Sequence, residues 1–309
     1  MTALAWDVAI LGIYVTDLAF MAPRQPVIGE TILGGGFAMG PGGKGSNQAV
    51  AAGKAGGRVR LITRIGADPF GDHAETVWAA AGVSARAPRS ADVATGAAYI
   101  FVQDGTGDNA IIVAPGAAGL IDAADVDAAA EDICAARVFM TQLEQPIPSA
   151  RRALEIARAA GVTTILNPAP AAQIDDALLA LCDYVTPNET EAAALTGMPV
   201  ATLDDAARAG AALIARGAGC AVLTLGANGV MIVAASGATH VPGFDVGPAV
   251  DTAGAGDAFN GGFAVALAQG ADVRAAARFG CAVGALSVTR RGTAASMPTR
   301  AEIDALLSR

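Results

Sequence analysis

An aspartate set directly behind a run of small residues can take a proton beside a bound anion. Positions 251 to 261 read Asp-Thr-Ala-Gly-Ala-Gly-Asp-Ala-Phe-Asn-Gly, and an apolar, Ala-rich run continues to Leu267. Gly254, Ala255 and Gly256 leave their amides uncovered, and a Gly-rich turn that opens a helix aims unpaired N–H groups and the positive end of the helix dipole at one place. With Asp257 alongside, that pattern suits phosphoryl transfer. It also suits a plain strand-to-helix turn with an acidic first-turn residue.

Four further candidates stand where an apolar run ends. Asp17 follows the run Val8-Ala9-Ile10-Leu11; it is either a site carboxylate or a turn aspartate. Gly40 to Asn47 reads Gly-Pro-Gly-Gly-Lys-Gly-Ser-Asn and contains Gly-x-Gly-x-x-Gly. A dinucleotide site needs a strong strand immediately before those glycines, and only Phe37-Ala38-Met39 is there. A phosphate loop of the Walker type fails as well, because Lys44 is followed by Gly45 and not by Ser or Thr. What remains is a Gly-rich turn that carries Lys44 and Asn47 to a polar ligand, or else a flexible loop. Thr141-Gln142-Leu143-Glu144 ends another apolar run, so Glu144 faces either solvent or a site. In Pro187-Asn188-Glu189-Thr190-Glu191, Asn188 and Glu191 lie three apart at a helix start, where they can reach a hydrated Mg²⁺ or cap the helix.

Positioning these residues requires a scaffold, and the chain supplies strand and helix in alternation. Strands are expected over Val8 to Leu11, Val59 to Ile65, Val138 to Leu143, Thr163 to Leu166, Tyr184 to Thr186 and Ala221 to Leu225. Helices are expected over Gln48 to Ala55, Asp72 to Ala81, Pro148 to Ala160, Glu189 to Leu195, Asp204 to Arg216, Ala255 to Ala268, Val273 to Leu286 and Thr299 to Leu307. Such a pattern gives a mostly parallel sheet with helices on both faces and ligands beyond the carboxyl ends of its strands. Two stretches, roughly 13–41 and 89–113, break the alternation. The first offers Thr31-Ile32-Leu33 and Phe37-Ala38-Met39 as short antiparallel strands, and the second a hairpin with its tip at Asp104 to Asn109. We expect one domain over 1–309 with these strands as a small lid.

With 309 residues and 53% hydrophobic content the chain can bury a substantial core. Its net charge of −9 repels nucleic acid and anionic membrane surfaces. No basic leader precedes Asp7 and no apolar run approaches the ~18 residues of a membrane helix, so a cytoplasmic protein is expected. Four scattered cysteines and two distant histidines give neither a zinc site nor the parts of a Ser or Cys nucleophile system.

Taken together, Gly-Gly-Lys-Gly-Ser-Asn-Gln-Ala from Gly42, Asn188-x-x-Glu191 and the 251–261 string closely resemble the PfkB family of carbohydrate kinases, over essentially Val8 to the end. Within it the chain looks most like the ribokinase type, through Gln142-Leu143-Glu144, Asn167-Pro168-Ala169-Pro170, Thr186 to Glu191 and Val288 to Gly292. The resemblance implies a three-layer ribokinase-like sandwich with a β-strand lid, and ATP-dependent phosphorylation of a primary hydroxyl. Ribose is the first expectation; another sugar or a nucleoside, such as fructose or adenosine, is the alternative, and a noncatalytic binding protein stands behind both. By the same resemblance Asp257 is the general base, with an anion hole at Gly254, Ala255 and Gly256. Asp17, Gly43, Lys44, Asn47 and Glu144 would hold the sugar, with Val15, Thr16, Gly45 and Ser46 beside them. Asn188 and Glu191 would serve Mg²⁺ and phosphate, Glu191 through water. Thr224, Leu225, Gly226, Ala227, Asn228 and Gly229 would line the nucleotide, and Cys281 falls near the adenine, where the family carries a polar residue. Asp251, Ala253, Ser287, Arg290, Gly292 and Ser296 match the family's K⁺ loop. A homodimer through the lid strands is compatible with this. Val15 departs from the pattern, standing where ribokinases carry Asn; its side chain offers no hydrogen bond to a hydroxyl.

Overall fold

The computed structural model describes residues 4–309, so the leader reading, which begins at Met1, falls partly outside the described residues. A nine-stranded sheet runs, from one edge, Gly237–Val241, Val230–Ala234, Cys220–Thr224, Tyr184–Val185, Thr163–Leu166, Ala136–Thr141, Trp6–Leu11, Val59–Ile62 and Val83–Arg86. Every pairing from Cys220–Thr224 to Val83–Arg86 is parallel, and the remaining two strands add an antiparallel edge hairpin. Burial on both faces explains why the central strands read as unbroken apolar runs. Along Trp6–Leu11, Val8 and Ile10 enter one core while Ala9 and Leu11 enter the other.

The expected strand–helix alternation is present, with element ends moved by a few residues. The first site helix starts earlier than expected, at Lys44, and spans Lys44–Lys54. The edge hairpin Val230–Val241 and the strand Val83–Arg86 were not anticipated. Thr31 to Leu33 forms no strand; Leu33 is 93% exposed and finds nothing to pack against. Within the 13–41 stretch a further strand, Val15–Ala22, forms because distant partners pair with it: Gly36–Gly42 antiparallel and Thr95–Gln103 parallel. With Asn109–Gly116 these make a second, four-stranded sheet; its hairpin turns at 104–108, one residue short of the expected tip Asp104 to Asn109, because Asn109 already pairs as strand. No helix among the described residues is long and apolar enough to cross a membrane.

Strand ends are level where the chemistry gathers. Leu11, Thr141, Leu166 and Val185 are in register, so Gly12, Gln142, Asn167 and Thr186 follow side by side at the carboxyl edge.

Candidate active site

Two helices frame this edge, and each opens on a glycine with positive φ: Gly43 (84°) before Lys44–Lys54 and Gly254 (76°) before Ala255–Ala268. Side chains rarely adopt that backbone. A methyl on Gly43 would also lie 2.6 Å from the Ile13 carbonyl oxygen. The helices touch through Gly261, where a methyl would lie 2.6 Å from both Ala51 Cβ and Gln48 O. This close approach brings Asn47 and Gln48 to Asp257: Asn47 Nδ2 donates to Oδ2 at 3.0 Å and Gln48 Nε2 to Oδ1 at 3.1 Å.

Asp257 is buried, and burial raises its pKa against the lowering effects of Lys44, Asn47 and Gln48. Three more carboxylates feel its charge. Burial and then Asp257 push Asp17 up to about 6. Burial pushes Glu144 up to about 7, although the Lys44 amide donates to its Oε2 at 2.7 Å and the Lys44 ammonium also opposes the shift. Burial raises Glu191 as well. Lys44 is the shared counter-ion: desolvation alone would lower its pKa, but Asp257, Glu144 and Glu191 turn the shift upward. Asp17, Lys44, Asn47, Glu144, Glu191 and Asp257, predicted from five separate motifs, thus form one electrostatic cluster.

Other predicted residues are placed differently. The Thr16 hydroxyl meets Tyr14 OH at 3.3 Å and Ser46 Oγ accepts from Trp78 Nε1 at 2.9 Å, so both hydroxyls are turned into the protein. Gly45 packs against Gly12, where a methyl on Gly45 would lie 2.6 Å from Gly12 Cα. Val15 lies within an apolar cluster but shares its strand face with Asp17. Of the turn amides, that of Ala255 donates to Thr252 O at 3.2 Å, which leaves those of Gly256 and Asp257 as first-turn donors without a helical carbonyl. A methyl on Gly256 would meet nothing within 4 Å, so that side of the turn is open.

Asn188 and Glu191 form a capping box: Glu191 N donates to Asn188 Oδ1 at 2.8 Å and Asn188 N to Glu191 Oε2 at 2.9 Å. Glu191 Oε1 is outside that pair. Thr224 N donates to Pro187 O at 2.9 Å, so the loop Thr224, Leu225, Gly226, Ala227, Asn228 and Gly229 starts beside this cap. A cavity of about 270 Å³ opens next to the loop, lined by Leu225, Asn228, Glu189, Val200 to Leu203 and His240. Cys281 is buried, and burial pushes its thiol up to about 12; it lies in the apolar core that holds Phe259 and Val283.

Asp251 fastens two loops, accepting from Ala253 N at 3.0 Å and Gly292 N at 2.9 Å. The hydroxyls of Ser287 and Ser296 donate to Gly284 O and Thr293 O, and Arg290 pairs with Glu302, so what these loops offer a cation is carbonyl and carboxylate oxygen. That donor chemistry fits a hard ion such as K⁺. No group of three or more His, Cys, Asp or Glu suited to a metal occurs among the described residues.

Sequence reasoning missed Gln48, which it took only as the start of a helix. Its signal was adjacency: Asn47 and Gln48 are consecutive amides, and both reach the same carboxylate.

The raised carboxylates also carry a stability signature. Asp17 and Glu144 bind protons more tightly folded than unfolded, so they add stability that is complete below their ordinary values of 3.8 and 4.5 and is lost as pH rises through about 6 and about 7. Glu302, held down to about 2 by the Thr299 amide and Arg290, acts in the opposite sense, and its contribution is lost only as pH falls below its ordinary 4.5. The unliganded protein should therefore melt at a higher temperature near about pH 5 than near about pH 8, as scanning calorimetry would show. Asp17→Asn with Glu144→Gln should flatten that difference.

Comparisons with known proteins identify the family. The family model described as "pfkB family carbohydrate kinase" matches residues 6–300. A deoxyribokinase of Salmonella typhi is 36% identical over 304 residues, covering 98% of this chain and 99% of the relative. A ribokinase of Haemophilus influenzae is 38% identical over 294 residues, covering 95% of each. The structure of Arabidopsis thaliana ribokinase complexed with ribose and ATP superposes with a TM-score of 0.92 at 28% identity, covering 99% of both chains. With a ribokinase-like fold, a family match over nearly its whole length and relatives aligned end to end, the chain belongs to the PfkB family of carbohydrate kinases and is an ATP-dependent sugar kinase.

Proposed function

We propose that the chain transfers the γ-phosphoryl group of ATP to the primary hydroxyl of a pentose, D-ribose first, giving ribose 5-phosphate. The observation that carries this is the Asp257 carboxylate: buried, held on both oxygens by neutral amides, and set at the opening of a helix whose Gly256 side is free. Asp257 takes the hydroxyl proton as the oxygen attacks, and the amides of Gly256 and Asp257 receive the developing negative charge. Asp17 and Glu144 accept from the sugar's other hydroxyls, and Lys44 donates. Glu191, with Oε1 outside its cap, and Asn188 would serve Mg²⁺ through water, and the ion would supply charge neutralisation when bound. The 224–229 loop carries the nucleotide. Asp251 and the neighbouring carbonyls would hold K⁺, whose charge would lie beside the turn at Gly254.

A second reading, 2-deoxyribose as acceptor, is favoured by Val15. It is 3% exposed, apolar and on Asp17's strand face, so a hydroxyl set against it would go unpaired. The deoxyribokinase at 36% identity supports this reading. An ADP-coupled assay with Mg²⁺ across ribose, 2-deoxyribose, fructose and adenosine, in K⁺ or in a bulky organic cation, tests both. Ribose turnover stimulated by K⁺ is the expected result; a higher kcat/KM for 2-deoxyribose would select the second reading, and no ADP from either pentose would refute both.

Gly42 gives a sharper check on the acceptor side. A methyl there would overlap the Asp17 carboxylate, which can swing away because it is the end of a side chain. Gly42→Ala should raise the sugar KM at least about tenfold, leave the ATP KM within about twofold and move Tm by less than about 3 °C. An unchanged sugar KM would remove Asp17 from the acceptor site. The small sheet exposes Phe37, Met39, Ile111, Ile112 and Val113, the surface through which a homodimer would form.

A further inference from the structure

Gln48 is the residue for which the kinase reading supplies no task. Its side chain is 0% exposed, and an amide buried so completely is costly unless every polar end is paired. Its oxygen accepts from Gln142 Nε2 at 2.5 Å, while its nitrogen donates to Asp257 Oδ1 and to Asn167 Oδ1, both at 3.1 Å. Asn167 in turn donates to Thr186 O at 2.9 Å. Gln142, Asn167 and Thr186 are the level row just past three parallel strands, so this chain of amides ties Asp257 to the sheet edge.

The amides are directional. Turned over, Gln48 would set its oxygen against the Asp257 carboxylate and the Asn167 oxygen, and its NH₂ against that of Gln142. Gln142, from the oxygen side, and Asp257 with Asn167, from the nitrogen side, therefore agree on which end of Gln48 faces Asp257. Gln142 Oε1 is buried beside Gly12 and Gly45 and accepts no hydrogen bond, so the bond from its Nε2 to Gln48 is the one that sets the direction of its amide.

We propose that Gln48 and Gln142 are positioning residues: Gln142 fixes the direction of the Gln48 amide, and Gln48 with Asn47 fixes the Asp257 carboxylate. Neutral donors orient that carboxylate without pairing it to a cation. Lys44, Asp17, Glu144 and Glu191 are the charged groups in its field, and none of them makes a hydrogen bond to it in this structure. Asp257 is thereby held in place without a cation bonded to it, by donors that lower its pKa while burial raises it.

The inference rests on Asp257 being the base, and the experiment separates the two. Gln48→Met removes the donor at similar volume; Gln142→Glu sets a carboxylate against the Gln48 oxygen and drives the amide to turn. Each variant should keep its KM for ATP and sugar within about twofold while kcat falls about tenfold to a hundredfold. Losing a donor to the charged form should also move the acidic limb of the kcat profile up by about one pH unit, which a merely loosened core would not do. A folded Gln48→Met with unchanged kcat, or with reduced kcat and an unmoved acidic limb, overturns the relay. If Gln48→Met does not fold, Gln142→Glu decides, and unaltered kinetics there overturn it equally. An active Asp257→Asn would instead refute the base assignment; an inactive Asp257→Asn beside normal Gln48→Met and Gln142→Glu would refute the relay alone.

Discussion

Asp257→Asn is expected to lower kcat by about three to four orders of magnitude while ATP still raises Tm. The change is nearly isosteric, so the open side of the turn at Gly256 and the first-turn amides remain. What disappears is the proton acceptor. An amide at 257 also brings an NH₂ group against the donors Asn47 Nδ2 or Gln48 Nε2, which leaves one of them without an acceptor and costs about 1–3 kcal/mol of stability. Steady-state kinetics and nucleotide-dependent melting check the two halves of the prediction separately. Activity within about tenfold of the unaltered enzyme would mean that Asp257 is not the base.

Lys44→Met is the second large effect. The Lys44 backbone amide would still hold Glu144, because that bond does not involve the side chain. The positive charge balancing Asp257, Glu144 and Glu191 would be gone. Those carboxylates would then hold their protons to higher pH, so the acidic limb of kcat/KM should move up by more than about one unit. At neutral pH kcat/KM should fall about a hundredfold or more, since a charge-bearing donor is lost from a site shielded from water. Lys44→Arg should rescue little, because a planar guanidinium does not replace a compact ammonium among three carboxylates. A pH–rate profile that keeps its shape in Lys44→Met would show that the cluster is not coupled as described.

Much of this site was legible because its residues sit where short apolar runs stop. Val8 to Leu11, Thr163 to Leu166 and Tyr184 to Thr186 announce parallel strands, and Asp17, Glu144, Asn188 and Asp257 stand near strand ends or helix starts. The features that escaped depend on partners far along the chain. Val15–Ala22 is a strand only because Gly36–Gly42 and Thr95–Gln103 flank it, and local pattern carries no record of that pairing. Val230 to Ala234 is plainly apolar, but an antiparallel edge breaks the expectation of a helix after each strand. Gln48 escaped because a glutamine on a helix reads as surface; its burial follows from Gly261 letting two helices nearly touch. The Asn188 and Glu191 spacing supported both a cap and a metal reading, and the capping box is formed.

Dividing the strands between two sheets also shapes how such an enzyme can evolve. Val15, Asp17 and Gly42 ride on the four-stranded sheet, whereas Gln142, Asn167 and Thr186 close the strand ends of the nine-stranded one against Asp257. Under the proposed assignment, drift in the small sheet away from Asp17 retunes which nutrient is accepted and leaves in place Asp257 and the amides that hold it. A mutant library confined to 15–42 and 95–116 would be the economical way to breed new acceptor preferences into this scaffold.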